Sequence, residues 1–411
     1  MNVLHASWIV PIASPPIRDG WVAVARGRIV ALGKRRPTSG AVAAAHQDAA
    51  ETDLGSVALL PGLVNAHTHL ELSWMRGRVP GGGRFSDWVR ALMALRRAGP
   101  PGGEAESRAA LTGAVEECRR TGTALVGDVA NTLTTIAPLA ASRLHAVVFR
   151  ELIGFRNAEA GDRIAAALRE LAGVPPAPNV RLTLAAHAPY SVSPLLFRAI
   201  DRALAREPFV PTSVHLGESS EELAFLADGD GPWRELLEEL GVWDEEWLAP
   251  GCGPAEYLDR MGCLDDRVLC VHGVHLDDHE LRRLARRRAT LVTCPRGNRL
   301  TGAGSPPAHA FYAAGLRVAV GTDSLASVPD LNLFSEVAEL HRLAPDVPAS
   351  SLLESATWQG ARSLGWEAEL GTIEPGKRAE LLTVSLPGGI TDVEQYLVAG
   401  VTPDQMSWVA A

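Results

Sequence analysis

The sequence predicts an α/β fold: a (β/α)₈ barrel that carries a small β-sandwich built from both chain ends. Short apolar runs alternate with longer amphipathic ones from residue 59 to residue 366, and the apolar runs number eight. Eight strand-then-helix units are typical of a closed parallel barrel rather than an open sheet. Strand-like runs separated by turn signals at residues 1–58 and 367–411 predict the composite β-sandwich.

The eight predicted barrel strands end on polar residues. In chain order the runs are LLPGLVNAHTH, TALVGDVA, HAVVFRELIG, VRLTLAAHAPY, FVPTSVHLGE, VLCVHGVH, ATLVTCPRGN and RVAVGTDS. Amphipathic segments such as SRAALTGAVEECRRTG and DDHELRRLARRR lie between them and predict helices. The longest insertion, residues 221–264, follows the fifth strand, and we expect it to cover the mouth of the barrel.

Composition excludes several classes of function. A formal net charge of −9 over 411 residues argues against binding to nucleic acid or to an anionic membrane surface. No apolar run approaches the roughly 20 residues that span a bilayer, and the N-terminus lacks a signal-peptide pattern. Five cysteines without a C-x-x-C spacing predict neither a disulfide framework nor a zinc ribbon. We therefore expect a cytoplasmic protein whose partner is a small molecule.

Histidine and carboxylate side chains cluster at the predicted strand ends. Active sites of such barrels form at the carboxyl ends of the strands, where the chain places His67, His69, Asp128, Glu151, His187, His215, His272 and Asp323. His67 and His69 are two apart in a strand, so both imidazoles face the same side. Alone, this pair fits a structural role as well as it fits a metal. His215 and Asp323 on two other strands favour one ion, Zn²⁺ first and Fe²⁺ as the alternative.

Two further strand-end residues suit proton transfer. Glu218 lies three residues after His215, from where a carboxylate can reach a metal-bound water as a general base. Its alternative role is to stabilise the N-terminus of the following helix through the helix dipole. His272 ends a very apolar strand, and we expect it to orient the water or to shuttle a proton rather than to be a buried structural histidine.

Six motifs resemble one family. PGLVNAHTHLE, HAPYS, HLGES, HGVHL, GTDS and LGTIEPGKRAELL, in this order, closely resemble the amidohydrolase superfamily and its branch of deaminases and chlorohydrolases. The resemblance implies the barrel and the terminal β-sandwich. It also implies that His67, His69, His215 and Asp323 are ligands, that Glu218 and His272 are catalytic, and that Asp323 is also a base.

The number of metal ions is limited by the composition. Many members of that superfamily use two ions bridged by a carboxylated lysine. The two lysines of this chain, Lys34 and Lys377, both lie in the terminal β segments, so no barrel strand provides such a bridge. Glu151 is the one strand-end residue that offers a bridge to a second ion. We expect a single ion.

A finer resemblance suggests the substrate. The segments FRELIGF, TCPRGN and HLGESSEELAFL are most similar to aminodeoxyfutalosine deaminases of menaquinone biosynthesis, which implies a 6-aminopurine nucleoside with an anionic 5′ group. Arg296 is the first expected partner of that anion, with Arg150, Arg76 and Arg156 behind it. His187 is expected to contact the purine or the ribose, and Glu71 and Trp88 the nucleoside.

Three alternatives remain open from the sequence. The first is a deaminase of S-adenosylhomocysteine, methylthioadenosine or adenosine, which would share the catalytic residues. The second is a chlorohydrolase or ring-opening amidohydrolase, and the third a metal-binding protein without activity. Related barrels often dimerise, so a homodimer is a further expectation.

Overall fold

The computed structural model describes residues 1–34, 50–206 and 210–409. The strands within these ranges are β1 (Asn2–Ile9), β2 (Ile17–Ala25), β3 (Arg28–Gly33), β4 (Ala50–Asp53), β5 (Val57–Pro61), β6 (Leu63–Thr68), β7 (Thr123–Ala130), β8 (His145–Leu152), β9 (Val180–Ala186), β10 (Thr212–Leu216), β11 (Val268–His272), β12 (Thr290–Thr293), β13 (Arg317–Val320), β14 (Leu381–Ser385) and β15 (Met406–Trp408).

Helices follow the barrel strands. They are α1 (Phe85–Ala98), α2 (Gly103–Arg120), α3 (Ile136–Ala141), α4 (Ala160–Ala172), α5 (Pro194–Leu204), α6 (Ser220–Asp228), α7 (Pro232–Glu239), α8 (Pro254–Arg260), α9 (Asp278–Arg287), α10 (Pro295–Thr301), α11 (Ala308–Ala313), α12 (Leu333–Leu343), α13 (Ala349–Ser355), α14 (Trp358–Ser363) and α15 (Val393–Val398). Short 3₁₀ helices span Leu70–Met75, Asn157–Glu159 and Pro403–Gln405. None of the described helices is long and apolar enough to cross a membrane.

The barrel is formed by two sets of parallel strands. β6 to β9 pair in chain order, and so do β10 to β13. Side-chain hydrogen bonds join the sets at both seams: Thr212 Oγ1 donates to the Leu184 carbonyl at 2.9 Å, and Asn65 Nδ2 donates to Thr322 Oγ1 at 2.8 Å. Buried aliphatic and aromatic side chains such as Val271 and Phe149 pack together in its interior. The predicted barrel is confirmed.

Both chain ends contribute to one β-sheet beside the barrel. Among the described residues it has seven strands in the order β15-β14-β5-β1-β2-β3, with β4 paired to β1. Leu382 of β14 pairs with Leu60 of β5 in antiparallel register, which joins the two ends. A β domain built from both termini is thus confirmed, as a single hydrogen-bonded sheet. The predicted domain limits stay a prediction: β5 extends across the limit at residue 58, and residues 35–49 lie outside the described residues.

The insertion after β10 contains α6, α7 and α8. Trp233 and Leu237 of α7 are buried and pack in one cluster with Phe85 and Trp88 of α1. Arg90 of α1 forms ion pairs with Glu235 and Glu239 of α7. These two helices, from the insertions after β6 and β10, therefore meet over the carboxyl ends of the barrel strands.

Candidate metal centre and substrate cavity

Three histidines converge at the carboxyl end of the barrel. His67 is in β6, His69 follows that strand directly, and His215 is in β10. One ring nitrogen from each lies within 4.8 Å of the other two, and the Nε2 atoms of His69 and His215 are 3.3 Å apart. Within the described part of the chain, neither ring nitrogen of the buried His67 has a hydrogen-bond partner. A buried imidazole without a protein partner fits a metal ion in that place.

Asp323 adds a carboxylate to the three histidines. Its Oδ1 lies 3.6 Å from Nε2 of His69 and 3.8 Å from Nε2 of His67. The hydroxyl of Ser327 donates to the other oxygen, Oδ2, at 2.6 Å, which leaves Oδ1 for the histidine cluster. Three imidazoles and one carboxylate are a donor set that suits Zn²⁺ and other divalent transition metals.

Burial keeps the imidazoles in the form that binds metal. Desolvation first, and then the neighbouring histidines, lower the pKa of His67 well below its usual value. The same causes lower the pKa of His215 to about 3. Both rings are therefore neutral at pH 7, and a neutral imidazole has a lone pair for an ion.

The tautomer of His215 determines which ring nitrogen faces the cluster. Its Nδ1 lies 2.8 Å from the carbonyl oxygen of His187 and donates to it, so Nε2 is free to face the cluster. Glu151, His187 and His215 also form a group with metal-compatible spacing. However, Nδ1 of His215 is already a donor there, and the Asn131 amide donates to Oε2 of Glu151 at 2.7 Å. The other oxygen, Oε1 of Glu151, has no hydrogen-bond partner among the described residues, so the single ion expected from the sequence stays a prediction.

Glu218 and His272 face each other beside the histidine cluster. Oε1 of Glu218 is 3.4 Å from Nε2 of His272, and both residues are buried. Burial, followed by the charges of Asp323 and Glu222, raises the pKa of Glu218 well above its usual value. Burial also lowers the pKa of His272 well below its usual value. A carboxyl group with a raised pKa is suited to accept a proton and then release it.

A cavity of about 550 Å³ opens from this cluster. Its walls are mostly apolar, with an aromatic set contributed by Phe85, Trp88, Phe155, Tyr190 and Trp233. The rings of Tyr190 and Trp233 are stacked with centroids 4.1 Å apart. A cavity of this size and lining can enclose a nucleoside, since aromatic faces stack on a purine base.

Two of the residues expected to contact substrate line this cavity, namely His187 and Trp88. Glu71 is not among its lining residues: its carboxylate accepts hydrogen bonds from Arg96, from the backbone of Asn131 and from Thr132.

The arginine expected to bind the anion is placed elsewhere. Arg296 is the second residue of α10 and does not line the cavity; its guanidinium pairs with Glu336 of α12 at 2.7 Å and with Asp330 at 3.0 Å. Its expected role as anion partner is therefore corrected, because two buried or half-buried carboxylates already neutralise it.

The other arginines expected near the anion also have partners outside the cavity. Arg150 pairs with Glu170 at 2.8 Å and lines a neighbouring cavity of about 390 Å³ instead. Arg76 pairs with Glu117, and Arg156 donates to backbone carbonyls.

Sequence reasoning missed the cations that do line the cavity. They are Arg96 and Arg97 of α1 and Arg163 of α4. A signal for α1 was present, because Phe85, Trp88, Val89, Leu92 and Arg96 follow helical spacing and all line the cavity.

The sequence prediction also missed Asn298. Its side-chain amide nitrogen lies 2.9 Å from Nδ1 of His272.

The chain is similar to several known proteins. The profile of the amidohydrolase family matches residues 58–405. A 5-methylthioadenosine/S-adenosylhomocysteine deaminase of Nitratidesulfovibrio vulgaris is 31% identical over 384 residues, which cover 90% of this chain and 80% of the relative. Further proteins of the same name match at 29–30% identity. An aminodeoxyfutalosine deaminase of Deinococcus radiodurans is 31% identical over 331 residues, covering 78% of this chain and 76% of the relative.

A solved relative contains zinc. The crystal structure of an adenosine deaminase from Xanthomonas campestris with bound zinc superposes with a TM-score of 0.78 at 28% identity. The match covers 98% of this chain and 90% of the relative. The names of these relatives describe deaminases of 5-methylthioadenosine and S-adenosylhomocysteine, of aminodeoxyfutalosine and of adenosine.

Proposed function

The chain belongs to the amidohydrolase family, and we propose that it hydrolyses the 6-amino group of a purine nucleoside that carries a 5′ substituent. The first candidate substrates are 5-methylthioadenosine and S-adenosylhomocysteine, because deaminases of that name match along most of both chains. The observation on which the proposal depends is the facing pair of Glu218 and His272, next to three histidines and Asp323 at the base of an aromatic cavity.

His67, His69, His215 and Asp323 would hold one divalent ion, and we propose Zn²⁺. Such an ion supplies Lewis-acid chemistry and lowers the pKa of a coordinated water toward about 7. Zinc is supported by the imidazole-rich donor set and by the zinc in the Xanthomonas relative.

The chain's own side chains supply the proton transfers. Glu218 accepts a proton from the attacking water and delivers it to the ring nitrogen next to C6. The water oxygen bonds to C6, and the tetrahedral adduct accepts a hydrogen bond from Nε2 of His272. Asp323 accepts the second proton of the water and passes it to the leaving amino group. The C6–N6 bond then breaks, and ammonia and the 6-oxopurine nucleoside are released.

The cavity walls hold the nucleoside. Trp88, Tyr190 and Trp233 offer aromatic faces to the base or to an aromatic 5′ group. His187 lines the cavity beside His215, and its Nδ1 is 2.6 Å from the hydroxyl of Ser191. That contact orients the ring, whose Nε2 then faces a polar group of the substrate.

A second candidate, 6-amino-6-deoxyfutalosine, is favoured by the charges of the wall. Among the described lining residues the carboxylates are Glu151, Glu218 and Asp323. All three lie near the histidine cluster, since Glu151 is 3.6 Å from His215. The α-ammonium group of S-adenosylhomocysteine would then lack an acidic partner elsewhere in the cavity, whereas an arginine such as Arg97 suits the carboxylate of a benzoate. A role in menaquinone biosynthesis depends on this second candidate.

Ammonia release by the zinc-loaded protein tests both candidates. We would measure kcat/KM for adenosine, 5-methylthioadenosine, S-adenosylhomocysteine and 6-amino-6-deoxyfutalosine, with the metal content of the same preparation. Preference for either of the two 5′-sulfur nucleosides supports the first candidate, and preference for the futalosine supports the second. A protein with full metal occupancy and no ammonia release from any of the four would refute the deaminase proposal.

A further inference from the structure

We propose that Glu222 is a positioning residue that fixes the backbone of Glu218 in its catalytic place. The inference rests on the proposed deaminase function, because it concerns the residue that we assign as the proton carrier. Glu222 does not line the cavity and acts through the chain segment next to it.

The carboxylate of Glu222 binds two successive backbone amides. Oε1 accepts from the amide of Gly217 at 3.0 Å, and Oε2 accepts from the amide of Glu218 at 3.1 Å. Glu222 is fully buried at the start of α6. Both carboxylate oxygens of Glu222 therefore accept hydrogen bonds from the segment that bears Glu218, the proposed proton carrier.

This arrangement extends a known helix-capping pattern. Ser219 is the N-cap of α6, and its hydroxyl accepts from the amide of Glu222 at 3.2 Å. In a capping box, the side chain three residues after the cap binds the amide of the cap residue itself. Here the Glu222 side chain reaches further back, to Gly217 and Glu218. These hydrogen bonds link the two ends of the segment 217–222, which contains Glu218.

We call a carboxylate that accepts from two successive backbone amides a clamp. The segment needs such a clamp because the chain leaves β10 there by a tight turn. Gly217 has a φ of +61°, and a Cβ at this position would lie 2.4 Å from Cδ2 of Leu276. The Gly217 carbonyl accepts from the amide of His275 at 2.8 Å, which binds the turn to the loop after β11. Without Glu222, two adjacent buried amides would lose their acceptor, and the segment would move to find another. Any such movement displaces Glu218 from Nε2 of His272.

Glu280 provides a matched control. It also uses one carboxylate to accept two successive amides, those of Ala255 and Glu256, at 2.5 and 3.2 Å. It does not bind the Glu218 segment and does not line the cavity. A purely structural role for such clamps predicts the same outcome for substitutions at Glu222 and Glu280.

The test compares Glu222→Gln with Glu280→Gln in the zinc-loaded protein. Glutamine keeps the size of the side chain but replaces one acceptor oxygen by an NH₂ group, so one of the two amides faces a donor. We expect kcat of Glu222→Gln to fall about tenfold or more, with KM and zinc content within twofold of the unsubstituted protein. Glu280→Gln should keep its kcat.

Hydrogen exchange gives a second readout that does not require turnover. We expect the amides of Gly217 and Glu218 to exchange faster in Glu222→Gln and to be unchanged in Glu280→Gln. An unsubstituted protein without turnover would refute the proposed function, while faster exchange would still support the clamp. Unchanged kcat and unchanged exchange in Glu222→Gln would overturn the inference, as would an equal loss of kcat in both variants. If Glu222→Gln does not fold, Glu222→Asp replaces it: the side chain keeps its charge but is one methylene shorter, so kcat should again fall while Glu280→Asp keeps its kcat.

Discussion

The side-chain amide nitrogen of Asn298 lies 2.9 Å from Nδ1 of His272, and both residues are buried. Because the amide donates, Nδ1 of His272 is the acceptor and the ring proton is on Nε2. That proton points toward Glu218, whose Oε1 is 3.4 Å away. His272 also has a φ of +81°, a region that non-glycine residues rarely adopt, at a site where chemistry is proposed. Asn298 thus selects the tautomer that, in the proposed mechanism, donates to the reacting oxygen.

Asn298→Asp should therefore reduce turnover without removing the metal. The carboxylate has nearly the same shape but accepts from Nδ1, so the ring proton moves away from Nε2. We expect kcat to fall by about 10²-fold, since a correctly placed proton donor contributes at least that much. Steady-state kinetics and zinc analysis on one preparation measure both effects. Unchanged kcat would contradict the role of the tautomer.

Glu218→Gln separates proton transfer from metal binding. The amide fits the space of the carboxylate but cannot accept and release the proton, so kcat should fall by about 10²-fold or more. Zinc content should be unchanged, because Glu218 is not one of the four ligands. Asp228→Asn, on the exposed face of the adjacent helix α6, is the control and should keep full activity. Loss of zinc from Glu218→Gln would instead place Glu218 in the metal site.

The candidate metal ligands were accessible from the sequence because they depend on local pattern. A run such as VNAHTH alternates its side chains, and the carboxyl ends of parallel strands meet on one face, so His67, His69 and His215 could be brought together without coordinates. Residues that contact substrate were less accessible. Arg296 was expected in the cavity because it follows the seventh strand. The orientation of its guanidinium is set by an ion pair with Glu336, forty residues later in the chain. A local sequence pattern cannot predict such a distant pairing.

Binding of the ion should stabilise the folded chain. The cluster of His67, His69 and His215 exists in the folded state, so an ion bound there shifts unfolding by mass action, by about 2.7 kcal/mol at a free concentration of 100 times Kd. Removal of metal with a chelator should lower Tm, and added Zn²⁺ should restore it. His215→Ala should lose most of this zinc-dependent shift. A shift of equal size in His215→Ala would locate the stabilising ion elsewhere.

Arg97 should discriminate between the two candidate substrates. It lines the cavity, and within the described residues its guanidinium has no ion-pair partner, whereas Arg96 pairs with Glu71 and Arg163 with Glu159. Arg97→Met should raise KM for 6-amino-6-deoxyfutalosine by about tenfold, because one charge-assisted hydrogen bond is lost. KM for 5-methylthioadenosine, which has no carboxylate, should change less than twofold. Equal effects on both substrates would mean that Arg97 does not bind the 5′ carboxylate.

His145 should make stability depend on pH at a place remote from the metal. It begins β8 and contacts Trp366 with ring centroids 4.7 Å apart and the ring planes tilted by 50°, and its Nδ1 has no hydrogen-bond partner among the described residues. Burial first, and then the positive charge of Arg378, lower its pKa to about 4. The unfolded chain, with an ordinary histidine pKa of about 6.5, binds the proton more readily between these two values.

The contribution of His145 to the free energy of unfolding should therefore be fully present above about pH 6.5. It should decrease as the pH drops toward 4, by up to about 3 kcal/mol for this one group. His145→Gln cannot take up the proton, so its unfolding free energy should decline less over the same range. Urea unfolding of the chelated protein at pH 7 and pH 5 measures the difference, and the buried histidines of the metal cluster, which contribute equally in every variant, cancel in the comparison. His279→Gln, at an exposed position on α9, is the control and should follow the unsubstituted protein. A decline in His145→Gln as steep as in that control would mean that His145 is already protonated in the folded state.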